Sequence, residues 1–226
     1  MTYWILTSHL ASIFPISVYT WSYRNRKDVE SLFMLLQTIF IVTFSIFYHT
    51  YHVSDINIEP RERPVWTFLD HSQSTISIIT TVIYCLRVKP PYFYVYSYVV
   101  QMLILMLHLF KHYHLSIYTL IVCSSIAAVI KWFTIFRYLK FYKILCTLVI
   151  ICGISSTICF FTAVNADDSV YIPYHSMWHL SIFMTAGFGS LLRLKLENKL
   201  YPILRGREQV TSIDSLADIE LEEKRI

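Results

Sequence analysis

Charge and glycine are both scarce in this chain. Asp, Glu, Lys and Arg make up only 15% of its 226 residues, and there are four glycines. A soluble domain of ordinary makeup carries about 25% charged residues, so that class is set aside. The five cysteines, Cys85, Cys123, Cys146, Cys152 and Cys159, form no CxxC pair and lie within or at the ends of apolar runs. That excludes an extramembrane disulfide framework and reads as reduced, structural thiols. The opening Met-Thr-Tyr-Trp lacks the positive stretch of a cleaved signal peptide, so the first apolar run is expected to be a retained helix. Internal repeats, low-complexity tracts and GxxxG pairs are absent from the sequence.

What is present is apolar and aromatic. Hydrophobic residues reach 55%, aromatics 16%, and mean hydropathy is +0.50. Seven apolar segments stand out: Tyr3–Ser22, Ser31–Tyr51, Trp66–Leu86, Tyr92–Phe110, Leu115–Phe136, Phe141–Ala163 and Tyr174–Leu194. Each has about the 20 residues that cross roughly 30 Å of hydrocarbon. The expected architecture is an all-α integral membrane protein, a seven-transmembrane-helix bundle over residues 1–194. A polar tail, 195–226, follows. Its Ser212, Ser215 and Glu220-Leu221-Glu222-Glu223 suit a solvated segment.

The basic residues set the orientation. The first, third and fifth junctions carry Arg24, Arg26, Lys27, Arg87, Lys89, Lys131, Arg137, Lys140 and Lys143, against Arg61, Arg63 and Lys111 in the even loops. The N-terminus is therefore expected outside and the tail in the cytosol. The pI near 8.7 reflects these loop residues and implies no nucleic-acid partner. Tyr92, Phe93, Tyr94, Tyr96 and Tyr98 read as an interfacial belt on the cytosolic side.

That orientation gathers polar residues at one level. Ser45 and His49 close the second segment, Asp70 and His71 open the third, and His175 and His179 open the seventh. All six then lie near the outer face. Residues four apart share a helical face with Cβ atoms about 5–6 Å apart, so His175 and His179 can point at one spot. Alone, this spacing also suits interfacial histidines, Ser45 suits back-bonding to its own helix, and Asp70 suits a helix N-cap or first-turn acid. Together, His49, His175 and His179 match a zinc site of three protein ligands with one open position. Zinc makes hydroxide available near pH 7, about the pKa of its bound water. Asp70 could orient that water or act as general base, and Ser45 could donate to a developing oxyanion.

Several residues compete with this reading. His108 and His112 share the four-residue spacing with His114 beyond, beside Lys111 at an interface where histidines are common. His52 sits in the second loop. His71 is turned about 100° from Asp70 on a helix, so the two should not face one site. His9 reads as structural, and Lys131, before Trp132, as a lysine snorkelling to the cytosolic interface. The loop Glu59-Pro60-Arg61-Glu62-Arg63 is a charged, outward connection.

The combination of Ser45 and His49, Asp70, and His175 with His179 resembles the CREST superfamily of seven-helix membrane proteins. That superfamily includes alkaline ceramidases, the adiponectin and progestin receptors, and the transmembrane-protein-8 and myomaker group. Phe47-Tyr48-His49 and Tyr174-His175-Ser176-Met177-Trp178-His179 look like the last of these branches. Small size and Ala128-Val129-Ile130-Lys131-Trp132 are similar to its myomaker members. The resemblance implies a multi-pass plasma-membrane protein that promotes fusion of muscle precursor cells. It also implies three histidines on zinc, a lipid-binding cavity, membrane lipids as ligands, and a fusogenic micropeptide or partner membrane protein. A homodimer is expected from the need to organise two facing membranes. Two departures stand out: Tyr51-His52 where the family has Cys-Asp, and no cysteine after Cys159 for tail acylation. The resemblance makes fusion the favoured expectation. Residue chemistry by itself favours the alternative, a zinc-dependent lipid amidase or esterase as proposed for the ceramidases, and a seven-helix receptor is a distant third.

Overall fold

The computed structural model describes residues 2–53, 63–86, 90–109, 122, 126, 142–164 and 168–223. Apart from Lys27, Asp28 and Leu86, every one of these is helical. In chain order the helices are α1 (Thr2–Ser8), a 3₁₀ turn (His9–Ser12), α2 (Ile13–Arg26), α3 (Val29–Val53), α4 (Arg63–Cys85), α5 (Pro90–Leu109), α6 (Lys143–Val164) and α7 (Asp168–Glu223). No strand occurs among the described residues. The expected fifth segment apart from Val122 and Ile126, with Lys131, Trp132 and Cys123 in it, and His112, His114 and the 54–62 loop lie outside them, as do the side chains of His52 and His108.

Among the described residues, two helices are long and apolar enough to cross a membrane, Val29–Thr50 within α3 and Lys143–Ala163 within α6, and Pro91–Leu107 is a shorter apolar stretch. The first and third expected spans are helical but fall outside that set for physical reasons. The first is not one helix: it tightens into a 3₁₀ turn at His9–Ser12. Pro15 is the cause, because it has no N–H to give Ala11 and its ring crowds that carbonyl. The third span is diluted by Asp70-His71-Ser72-Gln73-Ser74-Thr75, and those polar side chains are largely turned inward.

The outer faces of the helices are apolar, and many of the buried side chains are polar. Along α3, buried Met34, Thr38, Ile41, Ser45 and His49 form one inward stripe, while Leu36, Ile39, Phe40 and Phe47 are exposed. On α6, Ile144, Ile151, Ile154 and Ile158 are more than half exposed. Ser72, Thr75, Thr80, Ser97 and Ser156 are buried instead. A soluble domain reverses this arrangement.

Between α2 and α3 the chain turns in two residues. Lys27 takes the left-handed conformation (φ 54°) and its N–H bonds Tyr23 O at 2.9 Å. Asp28 then caps α3: its Oδ1 accepts from the Glu30 and Ser31 N–H groups at 3.0 and 3.3 Å, and Ser31 Oγ donates to its Oδ2 at 2.6 Å. Ser31 Oγ also lies 2.8 Å from Tyr84 OH on α4. Around this joint Tyr19, Met34, Tyr84 and Phe93 form a buried cluster, with Tyr19 and Tyr84 edge-to-face at 5.5 Å. A second cluster, Ile76, Ile79 and Ile104, joins α4 to α5. Gln73 donates to Gln37 across α3 and α4.

The chain divides into two compact units, Met1–Leu192 and Arg193–Ile226. The tail, expected as a solvated segment, is helical to Glu223. Within the second unit Arg193 Nε pairs with Glu197 Oε1 at 2.8 Å, one turn on. Cys85, Cys146, Cys152 and Cys159 are free thiols.

Candidate metal centre

Three imidazoles from two helices meet inside the first unit. His49 is carried by the last turns of α3, on its inward stripe. His175 and His179 stand one turn apart near the start of α7. The Nε2 atoms are 3.1 Å apart for His49 and His175, 3.3 Å for His49 and His179, and 3.1 Å for His175 and His179. His49 and His179 are buried and His175 half-buried. The two pairs involving His179 have ring planes at 88–89°.

These distances have a direct chemical reading. Ligands on a tetrahedral ion at about 2.0–2.1 Å lie roughly 3.3–3.4 Å from one another, close to the triangle found here. Each neutral imidazole has one donor and one acceptor nitrogen. Three Nε2–H groups pointed at one spot would collide, whereas three lone pairs pointed there make a cation site. Among the described residues, His49, His175 and His179 form a group whose ligand atoms all lie within 4.8 Å of one another.

The neighbours of the triangle divide into those anticipated and those not. Asp70 suits a helix cap when taken alone and a water-orienting or basic group beside the histidines. It lies two turns inside α4, which begins at Arg63, so capping is not its role. Its side chain is buried, as is Ser45, which lies within reach of the carboxyl. Ser45 Oγ and Asp70 Oδ1 nonetheless both end without a hydrogen-bond partner. Ser45 and His49 share one face of α3, so Asp70 is joined to the triad through that stripe. His71 is not one of the three clustered histidines, and its ring lies 5.8 Å from that of Tyr48.

Two residues were not anticipated as part of the site. Tyr171, in the first turn of α7, stacks on His175 at 4.7 Å and 20°. Burial, with Tyr48 and Asp70 nearby, holds its phenol well above the usual range, so it remains an O–H donor. His9, read as structural, packs its ring 4.3 Å from that of His179 and 5.9 Å from that of His49.

An apolar cavity of about 110 Å³ opens beside the triad. Its lining includes Pro15 of α2, Thr38 and Ile41 of α3, Ser77 of α4, and His179 and Phe183 of α7. His179 thus belongs to both the metal triangle and the cavity wall. Ser77 Oγ, also in that wall, is buried without a partner. Compared with known proteins, the chain matches no family model and no curated sequence.

Proposed function

We propose that this chain is a multi-pass membrane protein that binds zinc through His49, His175 and His179 and hydrolyses an acyl bond of a lipid held in the adjoining cavity. The observation that carries this reading is His179, one imidazole shared by the metal triangle and the apolar pocket. A lipid carbonyl entering along the pocket would meet the metal at its one open position. The apolar outer faces of α3, α5 and α6 support the membrane setting, and the basic first, third and fifth junctions support an outside N-terminus.

Zinc supplies Lewis acidity and hydroxide near neutral pH. The protein's own groups do the rest. Asp70, buried and with a free carboxyl oxygen, takes the proton of the attacking water and delivers it to the departing amine or alkoxide. Ser45, within reach of the Asp70 carboxyl, donates to the oxygen on which negative charge develops. Tyr171 holds the His175 ring by stacking. Water adds to the acyl carbon, the carbon–nitrogen or carbon–oxygen bond breaks, and a fatty acid and an amine or alcohol leave.

A second reading rests on Phe47-Tyr48-His49 and Tyr174-His175-Ser176-Met177-Trp178-His179, which resemble the myomaker branch. In it zinc ties α3 to α7, the cavity holds an outer-leaflet lipid, and the protein promotes cell–cell fusion at the plasma membrane with a fusogenic partner. The two readings separate experimentally. Purified full-length protein is incubated with ceramide and phospholipid substrates, wild type beside Asp70→Asn and His179→Ala. Release of fatty acid by wild type alone supports hydrolysis. No release, together with cytoplasmic mixing of expressing cells that His179→Ala abolishes, would replace hydrolysis by fusion.

A further inference from the structure

The 3₁₀ turn presents His9 to the metal centre with one nitrogen committed and one left over. His9 Nδ1 lies 2.8 Å from Ile5 O. A carbonyl only accepts, so Nδ1 carries the proton, and in the neutral ring Nε2 is a bare acceptor. That atom is buried without a partner, and His9 as a whole is only 3% exposed. Its ring touches His179, at 4.3 Å between centroids. Phe183, from the cavity wall, flanks both rings, 6.2 Å from that of His9 and 6.3 Å from that of His179.

His9 does not belong to the ligand set. Four nitrogens on one ion at about 2.0–2.1 Å must lie within roughly 4.2 Å of one another, and the group that meets even a 4.8 Å limit is His49, His175 and His179. A lone pair in contact with a metal ligand, beside a pocket, has a different use. Resting on the zinc reading, we infer that His9 is a positioning residue whose Nε2 accepts a hydrogen bond from a proton-bearing ligand, an N–H or O–H group, held at the metal's open position. The tie to Ile5 fixes the tautomer that makes this acceptance possible. The helix distortion forced by Pro15 sets the ring at the site. Ligands without a proton to give gain nothing from His9.

The test uses full-length protein in detergent, loaded with Co²⁺ so that binding is read from its visible absorption. Two probes are titrated: acetohydroxamate, which carries an N–H, and azide, which carries no proton. His9→Phe keeps the bulk and removes the acceptor. It should weaken acetohydroxamate about tenfold, the value of one hydrogen bond to a strongly polar group, and leave azide within about twofold. His9→Gln, which restores an acceptor oxygen, should recover most of the loss. Equal weakening of both probes would make His9 a packing residue, and no change in either would remove it from the site; each overturns the inference. Should His9→Phe not fold, His9→Met, slimmer and equally without a nitrogen acceptor, gives the same readout. Failure of wild type to take up Co²⁺ or Zn²⁺ would instead sink the three-histidine reading, and this inference with it.

Discussion

At the residue scale, the site rests on unequal contributions from side chains of one type. His49, His175 and His179 supply the nitrogens, so each alone should be indispensable to the metal. Replacing any one by Ala should lower zinc affinity at least about tenfold, as expected when a tetrahedral donor set loses a member. His71→Ala, outside the triangle, should leave occupancy unchanged; metal analysis of the purified variants checks both. Asp70 is predicted to act on the reaction and not on the metal. Asp70→Asn should retain zinc while fatty-acid release falls about 10²–10⁴-fold, the usual contribution of a positioned acid–base group. Zinc loss in that variant would make Asp70 part of the metal's support. The triad was legible in the sequence because two histidines four apart reveal their common face. His49 joins them once the segments are given a direction. His9 was not legible, since a single histidine on an apolar segment has no spacing to reveal its neighbour. Its one trace was Pro15, six residues on, whose effect on the preceding turn is backbone sterics and not pattern. Tyr171 was missed because it lies before the apolar stretch and its stacking on His175 is tertiary.

At the element scale, two joints hold the helices in register. Asp28 caps α3 with its carboxylate and bonds Ser31, which in turn meets Tyr84 of α4. Asp28→Ala removes the cap and should cost about 1–2 kcal/mol, measured as a lowered thermal midpoint in detergent with zinc still bound. The second joint is a close approach of α2 and α7. A Cβ at Gly187 would collide with the ring of Phe14, which itself packs edge-to-face on Phe188 at 5.0 Å. Gly187→Ala should therefore destabilise by about 1–3 kcal/mol through overpacking, and adding Phe14→Ala should relieve most of it. A double variant no better than the single would place the strain elsewhere. Element existence was readable from apolar length in α3 and α6. The first and third spans were legible as well and are helical, although a proline tightens the first into a 3₁₀ turn and inward polar residues dilute the apolar signal of the third.

At the scale of the whole molecule, the inverted distribution of polarity is the dominant fact. Apolar side chains cover the outer faces of α3, α5 and α6, and histidine, serine, threonine and aspartate share the interior with apolar clusters such as Tyr19, Met34, Tyr84 and Phe93. In lipid this is the stable arrangement, because interior polar groups find one another and the exterior meets hydrocarbon. The basic junctions give the proposed orientation a direct consequence: an epitope at the N-terminus should be labelled on intact cells, and one at the C-terminus only after permeabilisation. The reverse pattern would put the triad near the cytosolic face and separate it from outer-leaflet lipid.

The claim on which the rest depends is that His49, His175 and His179 hold a metal ion. Elemental analysis of full-length protein, purified in detergent without added metal, tests it most directly, wild type beside His179→Ala. The account predicts about one zinc per chain in wild type, as a single three-histidine site requires, and almost none in the variant. Wild type without metal, or a variant that keeps its zinc in full, would contradict it.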